Sequence, residues 1–146
     1  MKNIIVKRTR VKLTESVWIK SYKFPSEEYR ISLSNASEAL GYSQGWLNRV
    51  LNPKNSESST IKSLYKLGFS GETVRGQIVQ GMTGLKNKFP SASYRVKTIS
   101  FQDFFILLNY AVAQGKPKAV KLNQQLLESN FKMVAVAHAE IKEYQS

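Results

Sequence analysis

The feature that most constrains this chain is a change of hydrophobic period along it. Residues 4–13 and 17–24 are rich in Ile, Val, Trp, Tyr and Phe, with basic or polar residues between them. That is the pattern of half-buried strands, and it predicts a ribbon or hairpin ending at Phe24-Pro25. Tyr29-Arg30-Ile31-Ser32-Leu33 reads as a third short strand. From there the apolar spacing becomes helical. Ser34 or Asn35 is positioned to cap a helix carrying Ala36, Ala39 and Leu40, with Gly41 at its end. Ser43 can cap a second helix with Trp46, Leu47, Val50 and Leu51, stopped by Pro53. A third helix is expected from Thr60 to Leu67, closed by Gly68. Residues 68–95 carry five glycines and read as short strands and loops. Residues 94–100 alternate as a strand, and Ser100 then caps an apolar helix broken at Gly115-Lys116-Pro117. The last segment, 117–145, has a stripe of Val120, Leu127, Phe131, Val134, His138 and Ile141, broadened by Leu122, Leu126, Met133, Ala137 and Tyr144. It predicts a long amphipathic helix.

The expected fold class is α+β, in one domain of 146 residues. Its regions are a basic strand-rich segment (1–28), a helix-turn-helix-like segment (29–67), a glycine-containing strand and loop region (68–97) and C-terminal helices (98–146). Ile31-Ser32 and Ile99-Ser100 both lead from strand to helix, a local similarity rather than a repeat array.

Charge narrows the function. The chain has 22 Lys and Arg against 10 Asp and Glu, net +12. Residues 1–30 contribute +5, residues 31–72 only +1, and residues 73–146 the remaining +6. A polyanion is the expected partner, with nucleic acid ahead of a membrane surface. Without cysteine there is no disulfide and no Cys-bearing zinc site. No run approaches the roughly 18 apolar residues of a membrane span. A cytoplasmic protein is expected, nucleoid-associated if bacterial.

The segment Leu33–Asn52 meets the requirements of a helix-turn-helix. Ser37 is the small residue at the helix crossing, Gly41 supplies the turn, and Ala36, Leu40, Tyr42, Leu47 and Val50 fill the packing positions. Ser43–Leu51 would then be the reading helix, with Ser43, Gln44, Asn48 and Arg49 as base contacts. Trp46 is expected to pack inward. Phosphate contacts are assigned to Lys7, Arg8, Arg10 and Lys12, as an arm or edge strand, and to Lys54, Arg75, Lys86, Lys88, Arg95, Lys97, Lys116 and Lys118.

Tyr29–Asn52, with Ala39-Leu40-Gly41-Tyr42-Ser43, resembles the N-terminal region of phage antirepressor-type domains, the Bro-N and KilA-N group. Thr98-Ile99-Ser100 entering an apolar helix, followed by Gly115-Lys116-Pro117-Lys118-Ala119, resembles it too. The resemblance covers about half the chain and leaves out the basic N-terminal ribbon and the 68–95 insert. It implies a small α+β DNA-binding module with base contacts at Ser43, Gln44, Asn48 and Arg49.

Enzyme readings are weaker. Gly76 to Thr83 has phosphate-loop glycine spacing, but Met82 stands in place of the lysine. His138, the single histidine, sits within an apolar stripe. Asp103 with Glu140-Ile141-Lys142 spells a Mg-dependent nuclease set of homing-endonuclease type. Further alternatives are an RNA module using Tyr22, Phe24 and Tyr94, and a protein-binding adaptor or inhibitor. No cofactor and no metal are expected, no membrane partner is expected, and the last helix is a candidate homodimer contact.

Overall fold

The computed structural model describes residues 4–78, 94–128 and 142–143. The expected α+β class is what the chain adopts. In chain order the elements are β1 (Lys7–Thr14), β2 (Val17–Lys23), β3 (Tyr29–Ser32), α1 (Leu33–Ala39), α2 (Trp46–Val50), a 3-10 turn (Pro53–Asn55), α3 (Ser59–Lys66), β4 (Val74–Ile78), β5 (Tyr94–Ser100), α4 (Phe101–Ala113), α5 (Pro117–Glu128) and β6 (Lys142–Glu143). The strands form one sheet in the order β4-β5-β3-β2-β1-β6, antiparallel at every strand pairing.

Strand alternation gives the sheet two faces. Thr9, Val11 and Leu13 of β1 and Ile19 and Ser21 of β2 are buried, while Arg8, Arg10, Trp18 and Lys20 are exposed. The buried set faces the helices. Val11, Leu13, Ile19, Ile31 and Ile99 join Leu40, Leu47, Leu64, Phe104, Leu107 and Leu122 in the main core. On the other face, Val6, Phe24 and Ile78 form a second, smaller core with Tyr22, Val74 and Val96 around it.

That second core exists because the sheet curls. Residues just before β1 reach β4, at the opposite end of the strand order. Val6 N–H donates to the Gln77 carbonyl at 3.0 Å, and Gln77 N–H donates to the Ile4 carbonyl at 2.6 Å. Gly76 lets the two segments meet: a Cβ there would lie 2.5 Å from Val6 Cγ1 and 3.2 Å from Phe24 Cζ.

Serine caps set the helix starts. Ser32 Oγ accepts from Asn35 N–H at 3.0 Å, so the cap of α1 is Ser32 and neither Ser34 nor Asn35. Leu33 is buried and is already the first helical residue, which leaves Ser32 as the last extended one. Ser58 and Ser100 cap α3 and α4 in the same way. The α2 segment departs from expectation: Ser43 does not cap it, and it spans five residues, with Gly45 at its N-cap position.

The local similarity at Ile31 and Ile99 has a spatial counterpart. These two residues pair directly between β3 and β5, flanked by Arg30↔Ser100 and Ser32↔Thr98. The successions β2-β3-α1-α2 and β4-β5-α4-α5 therefore lie back to back about that pair, giving the strand order β4-β5-β3-β2.

The C-terminal helix starts at Pro117 as expected and is described to Glu128. Lys142 and Glu143 pair with Arg10 and Thr9 as a strand, so a single helix does not run to 145. The buried face of α5 is Ala119, Leu122 and Leu126, whereas Leu127, expected in the stripe, is 71% exposed. Packing on the chain's own core selects the former set. The residues proposed to carry a dimer contact farther along, from Phe131 to Ile141, lie outside the described residues, as does His138.

Candidate nucleic-acid interface

The helix pair α1–α2 is locked by one hydroxyl. Ser37 is fully buried; its Oγ donates to the Leu33 carbonyl at 2.8 Å and accepts from Leu47 N–H at 3.1 Å. The second bond satisfies a backbone donor in the first turn of α2, where the helix itself supplies no acceptor. Gly41 makes the turn at φ +94°. Ala36, Leu40, Leu47 and Val50 are buried and Tyr42 is half-buried, filling the expected packing positions.

Trp46 packs inward as expected. It stacks on Tyr42 with ring centroids 3.9 Å apart and planes 7° from parallel, and lies 6.3 Å from Tyr110. Lys116 Nζ sits 4.6 Å from the Tyr42 ring centroid, on a cation–π contact. Burial, reinforced by nearby Tyr110, pushes the Tyr42 phenol up from its ordinary 10.0 to about 12. Its hydroxyl is buried and has no hydrogen-bond partner among the described residues.

Ser43, Gln44, Asn48 and Arg49 are all exposed. Ser43 and Gln44 lie in the turn before α2, and Asn48 and Arg49 on the helix. Arg49 Nη2 donates to Ser43 Oγ at 3.0 Å, which draws the guanidinium back across the start of the helix. Gly45 leaves room for it: a Cβ there would stand 3.2 Å from Arg49 Nη1.

Three of the assigned phosphate residues adjoin this cluster. Lys54 is exposed in the 3-10 turn, whose Asn55 side chain donates to the Arg49 carbonyl at 2.7 Å. Lys116, just before α5, and Lys118, in its first turn, lie against the α1–α2 turn, with Lys118 Cβ 3.3 Å from where a Gly41 Cβ would be. Lys118 Nζ donates to the Glu38 carbonyl at 2.8 Å.

The others are elsewhere. Lys7, Arg8, Arg10 and Lys12 belong to a strand paired with β2 along its length, not to an arm. Arg8, Arg10 and Lys12 lie on the sheet face away from the helices. Arg75 and Lys97 pair across β4 and β5, and Arg95 pairs with Gln77, near the far edge of the sheet. Lys86 and Lys88 fall outside the described residues. The expected phosphate set is thus divided among three places, and only its α2 portion adjoins the proposed base contacts.

The alternative sites fare differently. Asp103 is buried and holds a loop: its Oδ1 accepts from Ser70 N–H at 3.0 Å and its Oδ2 from Ser70 Oγ at 2.6 Å. That placement does not offer a carboxylate to a metal, and Glu140 lies outside the described residues. No group of three metal-ligating side chains occurs among the described residues. Among the RNA candidates, Phe24 is 4% exposed and Tyr22 packs beside it in the second core, because the curled sheet encloses both. The Tyr94 side chain is outside the described set. No described helix is long and apolar enough to cross a membrane.

Sequence reasoning missed Trp18. It is 37% exposed on the sheet face away from the described helices, with Lys12 Nζ 5.8 Å from its ring centroid. The signal was available in the strand alternation, which puts Trp18 in phase with Lys20 and out of phase with Ile19. Compared with models of protein families, with curated proteins and with solved structures, the chain matches none of them.

Proposed function

We propose that this protein binds double-stranded DNA with a sequence preference, as a regulator of the phage or bacterial type. Ser43, Gln44, Asn48 and Arg49 act as the base-reading group, and Lys54, Lys116 and Lys118 contact the adjoining phosphates. The observation that supports it is the exposed Ser43–Arg49 cluster on a helix pair locked by Ser37, set beside three lysines. Asn and Gln can pair bidentately with adenine and Arg with guanine, while lysines neutralise phosphates without reading sequence. Cytoplasmic location, with association to the nucleoid in a bacterium, belongs to the same proposal, as does the kinship with the Bro-N and KilA-N group.

Selection from a random duplex pool at roughly physiological salt tests it, since low salt lets any chain of this charge bind any duplex. An enriched motif is expected. Arg49→Ala should change the preference at one position, with a loss of about 1–3 kcal/mol on the preferred site. Lys54→Ala should weaken all sequences alike. Recovery of duplex without enrichment, or uniform weakening by both variants, would defeat the base-reading assignment.

A further inference from the structure

Among the described residues, β2, α1 and α5 line a cleft of about 500 Å³. That is within the range of roughly 300–1,000 Å³ over which pockets take small molecules. Helical spacing supplies two of its walls. Lys118, Lys121, Leu122 and Gln125 recur on one side of α5, and Asn35, Glu38 and Ala39 on one side of α1. The small Ala39 side chain is what leaves room between the helices.

The lining has two parts. Its floor is apolar: Ile19 and Leu122 are buried, and Ala39 is half-buried. Its rim is polar. Half-buried Asn35 and Gln125 bring carboxamides, and exposed Lys118 and Lys121 bring ammonium groups. Lys118 Nζ donates to the Glu38 carbonyl at 2.8 Å. An ammonium carries three donors, so this bond anchors it at the cleft without using up its donors. Glu38 is the one acidic residue in the described lining.

We infer that this cleft binds a small organic anion with an apolar body, and that its occupancy regulates the α2 site. Lys118 and Lys121 hold the anionic head, the Asn35 and Gln125 carboxamides donate to its oxygens, and the apolar body covers Ile19, Ala39 and Leu122. The ligand chemistry follows from the lining. The floor adds nothing for a bare inorganic anion, and the ammonium groups add nothing for a neutral molecule, so only a ligand with both parts uses both. Lys118 belongs to the cleft and to the lysines assigned to duplex phosphates. An anion beside it lowers the charge it offers to a duplex, so ligand and duplex oppose each other by the same factor, whichever binds first. This regulatory part rests on the duplex-binding reading of α2.

The test uses the full chain and the fluorescent anion anilinonaphthalene sulfonate, at roughly physiological salt. Its emission should rise and saturate at one equivalent, and sodium octanoate should displace it. The uncharged parent, phenylnaphthylamine, should bind about fivefold or more weakly. Lys121→Glu, at an exposed position, should weaken the sulfonate about fivefold or more. Ala39→Leu, which fills the floor, should abolish the enhancement. Lys66→Glu, the same charge change on α3 outside the cleft, should leave it within about twofold. Saturating octanoate should lower the affinity for a selected duplex about fivefold or more.

The inference is overturned if the sulfonate fails to bind, if phenylnaphthylamine binds as tightly, or if Lys121→Glu and Lys66→Glu weaken the sulfonate alike. Octanoate that displaces the sulfonate but leaves duplex affinity unchanged would overturn the regulatory part. Failure of the duplex selection with sulfonate binding at the cleft intact would instead count against the α2 reading alone.

Discussion

Ser37 illustrates how one side chain can hold a candidate site in shape. Its hydroxyl supplies the acceptor for Leu47 N–H inside a fully buried contact. Ser37→Ala removes that acceptor and should cost about 1–3 kcal/mol, read as a lower urea midpoint. The sequence marks Ser37 only as a small residue at the crossing, where alanine is more usual, and does not reveal that serine adds a bond. Tyr42 presents the opposite case, a buried hydroxyl with no partner among the described residues. Tyr42→Phe keeps the stack on Trp46 and should raise stability by about 1 kcal/mol. The phenol also carries a pH signature. Its folded value is raised from 10.0 to about 12, so the unfolded chain loses this proton first. Stability from this group is present below pH 10 and should be lost as pH rises towards about 12. Urea melts across that window should show a smaller loss for Tyr42→Phe than for the parent.

Among the elements, the β1–β2 hairpin, the α1 and α4 helices and the Gly41, Gly68 and Gly115 breaks were legible, because each is fixed by local period or by a backbone angle. The positive φ values at these three glycines are the physical counterpart of that punctuation. The second core was not legible. It depends on Val6 and Phe24 meeting Ile78 from the far end of the sheet, which no short window contains. Gly76→Ala tests that closure. The added methyl would meet Val6 Cγ1 at 2.5 Å and should cost about 1–3 kcal/mol. Hydrogen exchange should localise the loss to β4 and the residues before β1. An unchanged melting temperature would show that the sheet closes less tightly there. The face of α5 was legible in part: Leu122 and Leu126, expected to broaden the stripe, are buried together with Ala119, whereas Leu127, expected at its centre, is exposed. Tertiary packing decides between registers that periodicity leaves equivalent.

At the scale of the molecule, the net +12 points to a polyanionic partner, and the fold distributes the cations over separate places. Arg49, Lys54, Lys116 and Lys118 surround the α2 site, while Arg8, Arg10, Lys12 and Lys20 occupy the other side of the sheet. The three phosphate contacts, Lys54, Lys116 and Lys118, predict a slope of log K against log salt of about −2.7 for duplex binding. A slope steeper than about −6 would mean that the cations on the other side of the sheet engage the same duplex, against the separate placement of the two groups. The back-to-back placement of the two strand–helix–helix successions brings the Gly41 turn against the start of α5. That is how Lys116 and Lys118, some seventy positions away in sequence, come to adjoin Ser43.

The sequence alone determined the α+β class, the hairpin, the turns and the exposure of Ser43, Gln44, Asn48 and Arg49. These follow from residue period and backbone angle, which act over a few neighbours. Only the tertiary structure decided which cations share a surface, that Asp103 clamps a loop, that Phe24 is enclosed, and that Trp18 stands among arginines and lysines. Those facts depend on strand order and sheet curvature, where each contact joins residues that are distant along the chain.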